Sequence, residues 1–272
     1  MIISHRHRFI FIKTEKTAGT SVELALAKVC GPDDVISAVV HPDDRALRDS
    51  LGPGYRSEQN DLVPLRFLTA LDLVRAIRRR RRPRFTNHMA AVDIRRFVPP
   101  AVWDGYFKFC VERNPWDKAI SAYFWWRELE SQRARDPVAF RRGLGAAADG
   151  VEWMITHHPV GDRSFAEFVR SGRANLTQGY GLYTIDGEVA VDRVLRFERL
   201  ADEVTDVVRQ LGIEDLPPLH RAKGGVRRTG THRHEMYDDR TRAKIAQVFA
   251  REIALFGYEF GSSGPASVAS GK

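Results

Sequence analysis

The chain has 272 residues, of which 43% are apolar and 29% are charged, a composition typical of a globular protein that is long enough to form one large domain. Its formal net charge of +8 predicts a surface that attracts anions, but does not distinguish a nucleotide, a sulfated or phosphorylated sugar, a nucleic acid or an acidic lipid. No stretch contains the roughly 18 uninterrupted apolar residues of a membrane-spanning helix, and no signal-peptide cleavage site follows the opening MIISHRHRFIFIK, so we expect a cytoplasmic protein without a membrane span.

The first predicted elements are a strand, a loop and a helix. Arg8 to Lys13 (RFIFIK) is a compact run of β-branched and aromatic residues that predicts a buried strand. The polar stretch from Thr14 to Ser21 predicts a loop. Val22 to Val29 then places apolar residues at helical spacing and ends at Gly31-Pro32, a stop signal.

A surface excursion and a basic helix end are predicted next. Residues 41–61 are rich in Pro, Gly, Asp and Ser, and Leu62 to Ile77 then carries apolar residues on one helical stripe. This predicted helix runs directly into five consecutive arginines, Arg78 to Arg82. Arginines at a helix C-terminus suit the helix dipole, so the run is either a solvated helix end or an anion patch for an acceptor or a membrane.

The strand, turn and helix pattern occurs again from Tyr106. Tyr106 to Glu112 predicts a strand, Arg113-Asn114-Pro115 a polar turn, and Trp116 to Arg127 an aromatic-rich helix. Arg133 to Gly172 predicts amphipathic helical segments interrupted by glycines and by Pro159, and a strand and two helices follow at Val189 to Phe197, Leu200 to Leu211 and Tyr237 to Phe256. Strands that alternate with helices predict an α/β fold with a central, mainly parallel sheet flanked by helices. We assign residues 1–262 to a single domain and 263–272 to a flexible tail.

The cysteines and histidines do not predict a metal site. Cys30 and Cys110 stand far apart in apolar stretches and are expected to be core thiols, which argues against a disulfide framework or a zinc site. The His-x-His pairs that begin at His5 and His232 have no third ligand at a suitable spacing.

The loop KTEKTAGTS, from Lys13 to Ser21, has the composition of an anion-binding site. Because it joins a strand to a helix, the N–H groups of the helix N-terminus point toward it and favour a phosphate or sulfate. Gly19 lets the backbone approach an anion closely, and Lys16 brings a compact positive charge. Thr20 and Ser21 supply hydroxyl donors. The Walker pattern is absent, because the lysine precedes the single glycine, which disfavours a P-loop ATPase or GTPase.

Lys16-Thr17-Ala18-Gly19-Thr20-Ser21 matches the first motif of a known family without a gap. With it the chain resembles the sulfotransferases that use 3'-phosphoadenosine-5'-phosphosulfate (PAPS), in particular the carbohydrate-type branch. The resemblance implies a P-loop-like loop in which these six residues bind the 5'-phosphosulfate, PAPS as co-substrate, adenosine 3',5'-bisphosphate (PAP) as product, and no metal. The family often has proline before the loop lysine, whereas this chain has Glu15, whose charge is either offset by Lys13 or directed outward.

The second family motif is a strand that ends in Arg-Asn-Pro, followed by an aromatic-rich helix bearing a serine. VERNPWDKAISAY, from Val111 to Tyr123, resembles it, and the resemblance implies that Arg113 and Ser121 hold the 3'-phosphate. Ser121 is expected about two turns into the helix, on the face that returns to the same ligand. The segment Arg221 to Gly225 (RAKGG) either covers the nucleotide, as in some relatives, or forms a surface loop.

Sulfuryl transfer, like phosphoryl transfer, needs a stabilised leaving group and a base for the acceptor proton. Lys16 is the expected leaving-group stabiliser. His88, in TNHMAAVDIRRF, is the expected base, because the family commonly has a histidine in this interval; Glu15 and Glu112 are the reserve candidates. Trp125-Trp126 either stacks on an adenine or sugar ring or packs into the core.

Three functions stay open at this point. The first is a PAPS-dependent sulfotransferase whose acceptor hydroxyl or amine belongs to a carbohydrate, a lipid-linked saccharide or another molecule, with the segments Asp43 to Pro83 and Arg133 to Asp162 on the acceptor side. The second is an ATP-dependent phosphotransferase with a divergent phosphate loop, in which Asp192 or Glu198 would hold Mg²⁺. The third is a basic module that binds nucleic acid or an acidic membrane, with Arg78 to Arg82 as the contact, although no nucleic-acid motif appears and we expect no nucleic-acid partner.

Overall fold

The computed structural model describes residues 1–39, 41–52, 54–56, 58–145, 148–220 and 233–261. The expected flexible tail 263–272 and the segment Arg221 to Gly225 lie outside these residues. The strands in chain order are β1 (Ile2–Ser4), β2 (Phe9–Ile12), β3 (Val35–Ile36), β4 (Phe107–Glu112), β5 (Thr184–Ile185), β6 (Glu188–Val189) and β7 (Arg193–Arg196). The α-helices are α1 (Gly19–Val29), α2 (Pro42–Ser50), α3 (Ala70–Arg79), α4 (Ala91–Phe97), α5 (Pro100–Gly105), α6 (Pro115–Arg135), α7 (Pro137–Leu144), α8 (Ala148–His157), α9 (Phe165–Arg170), α10 (Tyr180–Tyr183), α11 (Leu200–Gln210), α12 (Asp239–Val248) and α13 (Ala250–Phe256).

A five-stranded sheet in the order β3-β1-β2-β4-β7 forms the centre of the fold. Strands β2, β4 and β7 are parallel to one another, whereas β1 is antiparallel to both β2 and β3. The expected α/β class is confirmed, but the sheet is mixed, with a parallel centre and an antiparallel edge. The sequence prediction missed β1 because the three residues Ile2–Ser4 were not separated from the polar turn that precedes β2.

The alternation of side chains along β2 explains why helices cover both faces of the sheet. Phe9 and Phe11 point to one face, where they pack in a buried cluster with residues of α1 and α11. Ile10 and Ile12 point to the other, where their cluster includes residues of α4 and α5. All four side chains are fully buried, so β2 is the central strand of a sheet that is packed on both sides.

A third core lies among the helices that follow β4. Trp116, Leu129 and Phe140 of α6 and α7 pack in one buried cluster with Phe168 of α9 and Phe249, between α12 and α13. The expected last helix, Tyr237 to Phe256, is therefore two helices, because the backbone of Phe249 leaves the helical conformation (φ −103°, ψ 26°) where its side chain packs into this cluster.

The expected helix from Leu62 to Ile77 was placed too early in the chain. Residues Leu65–Phe67 form a short 3₁₀ turn after Pro64, and α3 begins only after Thr69, whose side chain accepts a hydrogen bond from Asp72 N while Asp72 accepts one from Thr69 N. This capping box fixes the start of α3 and stops the helix from extending backward. Within the described residues, no helix has the length and apolar content needed to cross a membrane.

Two further elements differ in extent from the prediction. The surface excursion of residues 41–61 contains the helix α2. The expected strand Val189 to Phe197 is shorter, since only Arg193–Arg196 pairs with β4, while Glu188–Val189 pairs with β5 in a separate hairpin. The helix expected over Leu200 to Leu211 is confirmed as α11.

Candidate anion-binding site

The loop between β2 and α1 has an unusual backbone. Lys16 and Ala18 both have φ of 60°, in the left-handed region that residues other than glycine seldom adopt. Ala18 is the N-cap of α1, and no side chain in the described part of the chain caps that helix. The first N–H groups of α1 are therefore not taken by a capping side chain, and strained backbone of this kind is concentrated at functional sites.

Arg113 brings the turn after β4 into contact with this loop. Its Nη1 donates a hydrogen bond to the main-chain carbonyl of Lys16 over 3.3 Å, and its guanidinium carbon lies 4.0 Å from the ring centroid of Phe197. Arg113 is buried. Because β2 and β4 are adjacent and parallel, their carboxyl ends meet at one edge of the sheet, and the two predicted motifs lie side by side there.

The side chain of Lys16 packs on α6. Its Nζ lies 4.8 Å from the ring centroid of Trp125, a distance typical of a cation–π contact. Ser121 stands four residues before Trp125 and therefore on the same face of the helix. Ser121 is half-buried on the face that meets Lys16, and no hydrogen bond joins it to Arg113 among the described residues.

His88 contacts the beginning of the same loop. Its Nδ1 lies 2.9 Å from the main-chain carbonyl of Lys13. A carbonyl oxygen can only accept, so Nδ1 carries the proton in this arrangement and Nε2 has the lone pair. Burial, followed by the positive charge of Lys13, lowers the pKa of His88 to about 3. His88 is thus a neutral imidazole, and the lone pair of its Nε2 faces Nδ2 of Asn87 at 3.5 Å.

Lys13 belongs to a buried ion cluster with Glu23, so the first of the two alternatives for Glu15, that Lys13 offsets its charge, does not hold. Its Nζ lies 2.7 Å from Oε2 of Glu23, and the amino group of Met1 lies 2.7 Å from Oε1 of the same carboxylate. Burial opposes ionisation of Glu23, but the two cations outweigh it and lower its pKa to about 2. Lys13 therefore stabilises the fold beneath the loop.

Gly19 and Thr17 are required by packing within the protein. A Cβ atom on Gly19 would lie 2.6 Å from Cγ of Lys13, so the absence of a side chain at this position makes room for the lysine stem. The hydroxyl of Thr17 donates to the carbonyl of Thr14 over 3.2 Å, and the hydroxyl of Thr14 donates to the carbonyl of Val111 at the end of β4. These two hydroxyls hold the loop against β4, and only the backbone of Thr17 remains as an anion donor.

Asp44 of α2 is a neighbour of the loop that the sequence analysis missed. The hydroxyl of Thr20 donates to Oδ2 of Asp44 over 3.2 Å, and both side chains are buried, as is Ser21 in the same first turn of α1. The signal was present: His41 caps α2, Pro42 is its first residue, and two aspartates follow, which is the signature of a helix start. Residues 41–61 were interpreted as an irregular excursion because Pro, Gly and Asp dominate their composition.

The reserve base Glu112 forms a buried ion pair with Lys118. It is fully buried, and its Oε1 lies 2.6 Å from Nζ of Lys118, which is also fully buried. Burial raises the pKa of Glu112 in spite of that partner. Glu112 therefore has no access to an acceptor, whereas Glu15 is half-buried in the loop itself.

Asp192 and Glu198, the candidate magnesium ligands of a phosphotransferase, lie at opposite ends of the parallel strands. Oδ2 of Asp192 accepts from the backbone N–H of Lys108 over 2.7 Å, at the amino end of β4, away from the Lys16 loop. Glu198 follows β7 and accepts from the backbone N–H of Asn114 over 2.8 Å, beside Arg113. The described residues contain no group of three or more His, Cys, Asp or Glu side chains arranged to hold a metal.

A groove of about 720 Å³ opens elsewhere on the molecule. Its lining includes Ile3 of β1, His5 just after β1, Arg84, and the aromatic rings of Phe67 and Phe97. None of the candidate anion-site residues lines it, so this groove and the Lys16 loop are separate features of the surface.

No protein-family model matches the chain, and no solved structure matches it. A protein of Archaeoglobus fulgidus described as uncharacterized is 25% identical over 130 residues, which make up 47% of this chain and 85% of the archaeal protein. That similarity assigns no activity, so a function can be argued only from the residues of the site.

Proposed function

We propose that the protein is a sulfotransferase that transfers a sulfuryl group from PAPS to a hydroxyl or amine of an acceptor. The observation that carries this proposal is the hydrogen bond of 3.3 Å from Nη1 of Arg113 to the carbonyl of Lys16, which joins the two anion motifs at one edge of the sheet. A carrier with a phosphate at each end of its ribose needs two such motifs within one cleft, and a single phosphate loop would not explain the second.

Each end of PAPS has its own set of protein groups in this proposal. The first N–H groups of α1 and the ammonium of Lys16 bind the 5'-phosphosulfate, since helix N-termini favour anions. Arg113 and Ser121 bind the 3'-phosphate, for which the planar guanidinium is well suited. Thr20 and Ser21 line the first turn of α1, and Asp44 must yield its hydrogen bond from Thr20 if that hydroxyl is to serve the donor.

In the reaction, the acceptor oxygen or nitrogen forms a bond to sulfur as the bond from sulfur to the 5'-phosphate oxygen breaks and PAP leaves. Lys16 stabilises the charge that develops on the leaving phosphate. Nε2 of His88 takes the acceptor proton. A pKa near 3 makes His88 a weak base by itself, but the negative charge of a bound donor raises the pKa of a neighbouring imidazole.

The two segments expected on the acceptor side meet in the structure. Helix α2, within Asp43 to Pro83, packs against α7, within Arg133 to Asp162. Nε2 of Gln132, in the last turn of α6, donates to Oδ2 of Asp43 over 3.0 Å next to this contact. The contact supports an acceptor pocket beside Trp125, built from both segments; the chemistry of these residues fits a saccharide or lipid-linked saccharide without selecting it.

The test compares PAP with adenosine 5'-monophosphate, which lacks the 3'-phosphate. Isothermal titration should show tighter binding of PAP, and Arg113→Ala should remove most of the difference in affinity between the two nucleotides. Lys16→Ala should weaken both ligands. Arg142→Ala, which removes an exposed arginine of α7, is the matched control and should change neither. Equal affinity of the wild-type protein for the two nucleotides would refute the proposal, and phosphate transfer from radiolabelled ATP in place of sulfate transfer from radiolabelled PAPS would identify a phosphotransferase.

A further inference from the structure

Helix α3 exposes an apolar stripe that the fold does not cover. Leu71, Val74 and Ile77 recur every third residue and lie on one side of the helix, with 57%, 45% and 76% of their surfaces exposed. The helix is held through its opposite side, where the buried carboxylate of Asp72 pairs with Arg96 of α4. The amphipathic pattern of α3 is therefore directed at something outside the described chain.

The stripe is bordered by positive charge without acidic compensation. Arg75, Arg78 and Arg79 lie on α3, and the run continues to Arg82. No acidic residue occurs between Asp72 and Asp93. Arg78, Arg79, Arg80 and Arg81 are exposed, and none has a carboxylate partner in the described part of the chain. An apolar surface flanked by uncompensated arginines is unsuited to packing against the apolar core of a protein.

We propose that α3 and the arginine run Arg78 to Arg82 dock on the surface of an anionic lipid bilayer. A helix that is apolar on one side and arginine-rich at its flank lies in the interface, with its apolar side in the acyl boundary and its charges at the headgroups. Arginine stems can follow the apolar surface while their guanidinium groups reach the phosphates. Leu65, in the 3₁₀ turn before α3, is a further exposed apolar side chain close to α3 in the chain.

Charge complementarity selects this occupant over a second copy of the chain. A second copy carries the same arginines and the same net charge of +8, so pairing two copies through this face would bring like charges together. A bilayer with acidic headgroups supplies negative charge and an apolar layer in the same plane. This proposal does not rest on PAPS binding, since none of its residues belongs to the Lys16 loop or to the Arg113 turn, although α3 lies within the segment Asp43 to Pro83 that is proposed for the acceptor side.

The experiment is co-sedimentation of the full chain with vesicles of phosphatidylcholine alone or mixed with phosphatidylserine. We expect binding to the mixed vesicles only, weakening as salt is raised. Arg78→Gln combined with Arg79→Gln should lower the partition coefficient about 25-fold, since each arginine near an anionic surface contributes about fivefold. The control is Arg142→Gln combined with Arg240→Gln, which removes the same charge from exposed positions elsewhere and should lower it far less.

A separate variant tests the contribution of the apolar side chains of α3. Changing Leu71, Val74 and Ile77 together to Gln should lower the partition coefficient about tenfold or more, while Val138→Gln, at a position 67% exposed on α7, should leave it unchanged. Thermal midpoints should stay constant, because these side chains are exposed in the fold. Equal binding to neutral and mixed vesicles would overturn the proposal. So would absence of vesicle binding together with a dimer, seen by analytical ultracentrifugation, that the triple variant dissociates.

Discussion

Arg113 donates a hydrogen bond from Nη1 to the main-chain carbonyl of Lys16, although 97 positions separate the two residues in the chain. The side chain that is proposed to bind one phosphate thus also positions the backbone that is proposed to bind the other. Loss of Arg113 should therefore act in two ways, by removing a charged ligand group and by releasing the loop whose residues Lys16 and Ala18 have left-handed backbone conformations.

Arg113→Ala should weaken PAP binding about 10- to 100-fold, the range expected for a lost hydrogen bond to a charged group. Arg113→Lys should restore little of it, because an ammonium group cannot reproduce the flat guanidinium that packs 4.0 Å from the ring of Phe197. Titration calorimetry with PAP measures both variants. Full recovery in the lysine variant would show that charge alone, without the guanidinium geometry, holds the ligand.

Lys16→Met keeps the length and apolar stem of the side chain and removes its charge. We expect turnover to fall about 10²- to 10³-fold, the usual cost of losing one preorganised electrostatic contact to the transition state. The measurement is sulfate transfer from radiolabelled PAPS, once an acceptor has been found by screening. Turnover within twofold of the wild type would remove Lys16 from the chemistry.

His88→Ala should lower turnover about 10²- to 10⁴-fold while leaving the affinity for PAP nearly unchanged, because a base acts on the acceptor proton and not on the nucleotide. The two quantities are separated by measuring transfer rates and PAP titrations on the same preparation. A large loss of PAP affinity would instead assign His88 to the organisation of the loop, through its contact with the carbonyl of Lys13.

The lowered pKa of His88 also predicts a pH-dependent stability. The unfolded chain takes up this proton near the ordinary value of 6.5 and the folded chain only near 3, so between these values the unfolded state binds more protons. Stability should therefore fall as the pH falls through this window. The His88→Asn variant retains a donor for the Lys13 carbonyl, and its free energy of unfolding should fall less steeply as the pH falls. Urea denaturation at several pH values measures the difference. Because both proteins retain Glu23, Lys13 and the Met1 amino group, parallel curves would show that His88 is not responsible.

Gly19→Ala should destabilise the fold by about 1–3 kcal/mol, as overpacking does, because the new Cβ would lie 2.6 Å from Cγ of Lys13. Gly150→Ala, on α8, is the matched control: its Cβ would meet no atom within 4 Å, and alanine should stabilise that helix by about 0.5–1 kcal/mol. Urea denaturation gives both free energies of unfolding. Equal effects at the two positions would show that Lys13 can move away from Gly19 without cost.

The parts of the fold that could be predicted are those whose cause is local. A compact run of β-branched and aromatic residues indicated β2. A polar loop followed by apolar residues at helical spacing indicated α1. The antiparallel β1 and the break at Phe249 could not be predicted in this way. Strand β1 has only three residues and was not separated from the turn that joins it to β2, whereas the break at Phe249 depends on long-range packing in the helical core.

The same distinction applies to the candidate site. The composition of the Lys16 loop and of the Arg113 turn singled both out, and parallel strand order brings them together. The roles of the individual residues were harder to predict. Gly19 packs against the stem of Lys13 and the hydroxyl of Thr17 bonds to Thr14, and nothing in the local sequence indicates these contacts or the pairing of Lys13 with Glu23. Asp44 was missed because its approach to Thr20 requires the packed fold.

The carboxylates beside the loop determine how far its attraction extends. Glu23 compensates Lys13 and Asp44 faces Thr20, so much of the cationic character that the letters KTEKTAGTS suggest is cancelled within a few ångströms. Beyond a screening length of about 8 Å at physiological salt, the loop should exert little pull on a passing anion. If the loop binds an anion as proposed, we expect its selectivity to depend on short-range fit to the amide N–H groups, and we expect long-range attraction of anions to come from the exposed arginines at the end of α3.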